Sequence, residues 1–567
     1  MIALWLSTLT VTVASPLEIN ASDTVLDAMT TELNRSFEYL QKEETPPYWM
    51  ELAITENQSQ NLTFADGALT AQKSEISREV DVDVRVGDWS LDNTPPLIDG
   101  GYFSDEPTHF NDNVPIGDDD LLLRKYIWKV VDQAYRTSVR RLIKIESNRS
   151  LKVDMEDQSN DWSPTEGFRH LEARLDLSSI HTDKWSNLLR TCSASMLEHP
   201  NILASSVRLS QDMETRWIVT TDGVQVRETR PHVRISVMTS GIAEDGMELN
   251  TYEYIDSTST KDWNLDTCLE LANTASYFLN ELIEAPVVDP FVGPAILRGK
   301  AAAVFFHEIL GHRIEGHRQK DENEGQTLTD KVGQPIFPDF INVIDDPTRV
   351  EFAGTDLNGH YRVDDEGVRA QSVPIVDKGV LQGFLMGRSP VEGFPTSNGH
   401  GRRQTGYGTV ARQGNLVVSA DNAVSYDTLK SQLIEEINRQ NKPFGLIFDD
   451  ISGGFTFTGR NSPNSYVVKP VTVWRVYPDG REEMVRGVDM IGTPLMTFSR
   501  IMRASNESQV FNGMCGAESG WVPVSAIAPD LLIQEVEIQR RAKDHDKPPL
   551  LDAPSLTPTE STNGGAQ

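Results

Sequence analysis

The sequence predicts an α+β protein, an N-terminal α/β domain followed by a largely antiparallel β domain that carries one helix with a metal-site pattern. Three observations predict it. Through the first half, apolar residues at helical spacing alternate with stretches of period two. From Pro286 to Pro294 the texture changes, and beyond it glycine is frequent and strand-turn-strand patterns dominate. The chain of 567 residues also exceeds what one core supports, so two domains are expected.

In chain order, Met1 to Ser15 reads as a short secretory segment with a small-residue cleavage point after Ala14, although it lacks a basic start. An edge strand or buried terminal segment is the alternative. Val25, Leu26, Met29, Leu33, Phe37 and Leu40 follow helical spacing after a polar cap at Ser22/Asp23, with Pro46 and Pro47 beyond the end. Residues 48–86 read as strands joined by turns, and Val80 to Val86 alternates strictly, the pattern of a half-buried antiparallel strand. Asn93 to Asp120 reads as a loop and Leu121 to Ile145 as a helix. Glu146 to Ser163 reads as a mobile connection or an insertion. A strand over His232 to Met238 and a helix over Leu265 to Leu282 complete a first domain of residues 20–287. In the second, residues 288–541, Asp377-Lys378-Gly379 and Pro478-Asp479-Gly480 signal hairpins. Residues 542–567, rich in Pro, Thr, Ser and Gly, read as a disordered tail.

The net charge of −32 would repel a phosphate backbone, so nucleic-acid binding is disfavoured. No stretch approaches the roughly 20 apolar residues of a membrane anchor. The cysteines Cys192, Cys268 and Cys515 allow a disulfide between the first two without requiring one. Sequons such as Asn57-Gln58-Ser59 and Asn61-Leu62-Thr63 lie near the start. Export to the periplasm or medium is the expectation, and the cytoplasm the alternative.

Chemistry concentrates in His307-Glu308-Ile309-Leu310-Gly311-His312, which follows the apolar run Ala301 to Phe306. Two imidazoles and a carboxylate are what a metal and an activated water require, yet the pattern is H-E-x-x-x-H rather than H-E-x-x-H. On a regular helix the second imidazole would sit about 140° round from the first, too far to share one ion. The helix must therefore bulge or end near Gly311, or the pair is structural. A third ligand is needed, and Cys515, among Asn512, Gly513, Met514 and Gly516, is a candidate that would leave one tetrahedral position for water. A buried free thiol is its alternative fate. Glu315, His317, His360 and His400 compete as ligands, and the longer zincin pattern does not fit.

His307-Glu308-x-x-Gly311-His312-x-x-Glu315-Gly316, then Asp364-Asp365-Glu366-Gly367, Gly401-Arg402-Arg403, and Gly513-Met514-Cys515-Gly516 with Val522-Pro523-Val524, resembles the TldD/PmbA family of metallopeptidases. The resemblance covers most of residues 288–540. Leu33 to Ser36, Pro46-Pro47-Tyr48 and Asp81 to Asp88 look like its longer, often signal-bearing bacterial branch. It implies zinc (Zn2+) held by His307, His312 and Cys515, with Glu308 as general acid and base. Metal-less partner subunits of the family lack the H-E-x-x-x-H residues, so this chain resembles the active type. His317 departs from the acidic residue usual there and is either a bystander or a support behind the ligands. Arg402 and Arg403 are candidates for binding a substrate carboxylate or an oxyanion, or for a solvated turn. Asp364, Asp365 and Glu366 would orient a ligand or form an acidic surface turn. The resemblance further implies extended or unfolded peptide substrates and a cleft between two subunits, identical or related. A non-catalytic peptide-binding or maturation partner with a structural metal is the alternative.

Overall fold

A computed structural model describes residues 23–97, 107–149, 157–177, 182–199, 201–260, 263–321, 323–460 and 465–541. The N-terminal segment of 1–15 and the tail of 542–567 lie outside the described residues.

The first half builds one sheet from β1 (Pro47–Ala65), β2 (Ala68–Val86), β3 (Phe110–Asn113), β4 (Arg169–Leu171), β5 (Ala204–Thr220), β6 (Gln225–Ile242) and β7 (Glu248–Ser257). Their order is β3-β2-β1-β5-β6-β4, with β7 also on β6, and all neighbours are antiparallel except β4 and β6. The β1–β2 hairpin closes at Asp66-Gly67, whose φ values of 50° and 77° suit a tight hairpin turn. Helix α1 (Thr24–Leu40) is capped by Asp23, which accepts from Leu26 N–H at 3.1 Å. It packs with α2 (Asp120–Arg149) over Met50, Leu52, Val80 and Val82. Helices α3 (Thr182–Ser195) and α4 (Leu265–Glu284) cover the next stretch, around Leu62, Val207 and Val233. A disulfide between Cys192 and Cys268 ties them together.

Three expectations are corrected. Val80 to Val86 is buried on both faces: Asp81 and Arg85 are buried along with the valines. The second face is covered by the other half of the chain, where Gly406 N–H donates to Asp81 Oδ1 at 2.8 Å. Strand alternation reports one apolar face and is silent about a polar face buried against charged partners. The connection after α2 is also docked where it is described, because Ser163 N–H donates to Arg388 O at 2.8 Å and Trp162 is buried. The loop expected over Asn93 to Asp120 contains β3.

The second half is built from β8 (Phe291–Leu297), β9 (Ile341–Asp345), the short β10 (Glu351–Phe352) and β11 (Thr355–Asp356), β12 (Val373–Asp377), β13 (Val380–Leu381), β14 (Gly401–Arg402), β15 (Val410–Ala411) and β16 (Asn415–Ala420). It continues with β17 (Gly445–Thr456), β18 (Tyr466–Val476), β19 (Glu482–Val485), β20 (Val488–Gly492), β21 (Ile501–Ala517) and β22 (Gly520–Arg540). Its helices are α5 (Gly299–Ile309), α6 (His317–Lys320), α7 (Tyr426–Arg439) and α8 (Pro494–Phe498). Both expected hairpins form, β12–β13 and β18–β19. Strand β22 pairs with β20 and β8, and β8–β17–β18–β20 completes a closed ring. Helix α5 lies in the largest core, buried at every position except Lys300, as its near-continuous apolar sequence requires.

Candidate metal centre

Helix α5 ends at Ile309, and Gly311–Arg313 forms a 3₁₀ turn. The break foreseen from the histidine spacing thus falls between the two imidazoles and swings His312 back toward His307. Their ring centroids are 5.2 Å apart, the planes at 78°. Cys515 arrives on β21, in register with Val522 of β22, so that its side chain points inward while Met514 faces out. Its sulfur lies 3.1 Å from His307 Nε2 and 3.5 Å from His312 Nε2. The donors of all three residues fall within 4.8 Å of one another, and all three residues are buried.

The donor set fits zinc. Bond lengths of about 2.0 Å to nitrogen and 2.3 Å to sulfur in a tetrahedron place N and S about 3.6 Å apart, close to the separations here. Burial pushes the Cys515 thiol up, but His307 and His312 outweigh it and bring it well below the ordinary thiol range. A sulfur held as thiolate is the form that binds a metal. Burial pushes both imidazoles down, and the sulfur reverses that, leaving each raised.

Behind His312, Nδ1 lies 3.2 Å from Glu315 Oε2. Burial favours the neutral acid, yet His312 and Arg318 hold the Glu315 carboxyl at about 2. An ionised carboxylate only accepts, so Nδ1 carries the hydrogen and Nε2 is turned to the sulfur. Arg318 Nε donates to the same oxygen at 2.8 Å, and Arg412 Nε sits 3.3 Å from the other. Arg412 also donates to Cys515 O at 2.8 Å and to Ser519 Oγ at 2.9 Å. One buried guanidinium therefore joins the carboxylate behind His312 to the hairpin that carries Cys515. Among the described residues His307 Nδ1 has no hydrogen-bond partner. Glu308 is buried beside β17, where a Cβ on Gly454 would approach its Cγ to 2.9 Å, so that glycine leaves room for the carboxylate.

The PmbA/TldA metallopeptidase C-terminal domain matches residues 292–540, and the PmbA/TldA metallopeptidase central domain matches 175–279. The chain belongs to the PmbA/TldD metallopeptidase family. Its relatives include the metalloprotease TldD homolog of Haemophilus influenzae, 26% identical over 381 residues, which are 64% of this chain and 73% of that one. The zinc metalloprotease TldD homolog of Saccharolobus solfataricus is 21% identical over 371 residues, 64% of this chain and 77% of its own. Among solved structures, TldE from Thermococcus kodakarensis superposes with a TM-score of 0.60 at 13% identity, over 90% of this chain and 100% of that one. A candidate modulator of a DNA gyrase from Thermotoga maritima does so with a TM-score of 0.60 at 14% identity, over 90% and 99%. At these identities the structural likeness shows the fold alone.

In this PmbA/TldD chain the other sequence candidates lie apart from the cluster. His317 Nε2 is paired with Glu518, three residues after Cys515. His360 Nδ1 is bonded to Pro347 O at 2.8 Å, and His400 Nε2 lies 3.3 Å from Asp345 Oδ1. Neither solvated-turn alternative survives. Arg402 is buried over Tyr361 and donates to Gln413 O at 2.6 Å, while Arg403 donates to Glu51 Oε1 at 3.1 Å. Asp364, Asp365 and Glu366 are buried too; Asp364 accepts from Gly401 N–H at 2.9 Å and Asp365 from Arg403 N–H at 2.8 Å. These carboxylates shape the backbone around the two arginines. Both arginines line a cavity of about 720 Å³, and Arg403 also lines one of about 330 Å³; none of the three donors lines either. Sequence reasoning missed Arg412, Arg318 and Glu518. The spacing of Glu315 and Arg318, one helical turn apart, was the available signal for a support behind His312.

Proposed function

We propose that this chain is a zinc-dependent peptidase acting on peptide bonds of extended or unfolded peptides, with His307, His312 and Cys515 as ligands and Glu308 as general base and acid. The observation that carries the reading is the convergence of two imidazoles and one sulfur within 4.8 Å, with a buried carboxylate next to the first imidazole. Zinc, when bound there, supplies a Lewis acid and brings the pKa of water towards neutrality. Glu308 takes the proton of the attacking water and delivers it to the leaving amine. Glu315 fixes the His312 ring through Nδ1, and the Cys515 thiolate cancels one charge of a divalent ion. The metalloprotease names of the relatives support the reaction class.

Likeness to both TldD homologues and TldE fits an assembly of two subunits, a second copy or a related chain. The Cys192–Cys268 disulfide supports passage through an oxidising compartment, in keeping with the secretory reading of Met1 to Ser15. Among the described residues no helix is long and apolar enough to cross a membrane.

Metal analysis paired with a peptide-cleavage assay tests the reading. Glu308→Gln is expected to keep the metal content of the parent while lowering kcat by about 10² to 10⁴, the scale of general acid-base catalysis. Unchanged cleavage would sink the mechanism, and loss of metal would make Glu308 a structural residue.

A further inference from the structure

The cavity of about 330 Å³ lies where the first sheet meets the second half, and its walls hold an unusual pair. Glu51 on β1 and Asp83 on β2 are directly opposite in register, so two carboxylates face one another across neighbouring strands. Like charges so placed repel. Each is half satisfied: Arg403 Nη2 donates to Glu51 Oε1 at 3.1 Å and Arg85 Nε to Asp83 Oδ2 at 3.2 Å. Among the described residues Glu51 Oε2 and Asp83 Oδ1 have no hydrogen-bond partner, although the Glu51 side chain is only 2% exposed. An unpaired buried acceptor costs its full desolvation unless something donates to it.

The basic side chains on the same walls are engaged. Arg85 holds Asp83 and Asp92, Arg403 holds Glu51, His109 holds Asp81, and His317 holds Glu518. Among the described residues the lining offers no arginine or lysine beyond these engaged ones, so a donor with positive charge brought by a ligand would meet the two unpaired oxygens. Trp49 and Trp162 add apolar walls, and the unpartnered Trp162 Nε1–H can donate to a carbonyl. His317 and Glu518 also line it; they follow His312 and Cys515 closely in the chain, and Glu518 connects to the metal cluster through Arg318 and Glu315. A net charge of −32 would also draw cationic peptides to this protein.

We infer that this cavity is a subsite for a primary ammonium group of the peptide substrate, received between Glu51 Oε2 and Asp83 Oδ1. The assignment of the ligand as substrate rests on the peptidase reading; the preference for an ammonium does not. Two sources share the chemistry, a lysine side chain and a free amino terminus.

Calorimetric titration of the full-length chain carrying Glu308→Gln separates them without turnover. Three probes are used: an acetylated, amidated alanine pentapeptide with lysine at its centre, the same peptide with norleucine, and the norleucine peptide with a free amino terminus. Tighter binding of the first than the second by about tenfold or more, the scale of a charge-assisted hydrogen bond, assigns the side chain. The same advantage for the third assigns the terminus. Equal affinity for all three overturns the proposal. Adding Asp83→Asn or, independently, Glu51→Gln is expected to bring the ratio close to one, with melting curves reporting the fold; a ratio that persists in both folded variants also overturns it. Failure of the peptidase reading is distinguishable, because it would appear as absence of cleavage by the parent chain with the discrimination intact.

Discussion

Glu315 grips His312 from behind: its Oε2 lies 3.2 Å from His312 Nδ1 while Nε2 of the same ring faces Cys515. Supports of this kind set ring orientation and basicity, and their loss costs about 10- to 100-fold in metal affinity. Glu315→Gln keeps the volume but replaces the ionised acceptor, so weakening on that scale is expected in a competition titration with a chromophoric chelator. Because Arg318 and Arg412 meet the same carboxylate, the melting temperature should be followed alongside. Unaltered affinity in a folded variant would show that Glu315 serves only the two arginines.

Cys515 is the free cysteine, and it is buried. Replacing it by serine exchanges a soft anionic ligand for a neutral hydroxyl. Zinc content after gel filtration is therefore expected to fall well below one per chain, and cobalt substitution is expected to give a strong sulfur-to-metal absorption in the parent and none in the variant. A variant with full zinc content would remove the sulfur from the ligand set.

The break after Ile309 was legible because five-residue spacing cannot serve one ion on a regular helix, a constraint that is local and geometric. The first helix was legible for a similar reason, through Asp23 as its cap and the apolar stripe behind it. Arg412 was not, since it meets Glu315 and Cys515 from about a hundred residues away and only the fold brings them together. Arg402, Arg403 and Asp364 to Glu366 look like surface turns in sequence because charge is ordinarily solvated. Here Arg402 and the three acids are buried and the Arg403 side chain is largely covered, and each finds a partner of opposite sign or a backbone group.

His232 links stability to pH away from the metal cluster. Burial pushes its imidazole down, but Asp212 and Asp256 overcome this and Arg234 only moderates it, leaving the group raised from 6.5 to about 9. The folded state therefore binds this proton more tightly than the unfolded chain. The stability it contributes is complete below pH 6.5 and fades as pH rises through about 9. His232→Asn should lower the melting temperature at about pH 6 and narrow its gap to the parent at about pH 10. A constant gap across that range would mean that the imidazole is not charged in the fold.

The Cys192–Cys268 disulfide closes a loop of 76 residues between α3 and α4, both of which pack on the first sheet. In the chain-entropy picture a loop of that length stabilises by about 4 kcal/mol, because the unfolded chain loses freedom that the folded one never had. Thiol titration of the denatured, unreduced protein is expected to find one reactive group, that of Cys515, and three after reduction. Reduction should lower the melting temperature, while Cys515 remains available to the metal. Finding three thiols in protein taken from its native compartment would count against export. It would leave the cluster of His307, His312 and Cys515 untouched, since none of its contacts runs through α3 or α4.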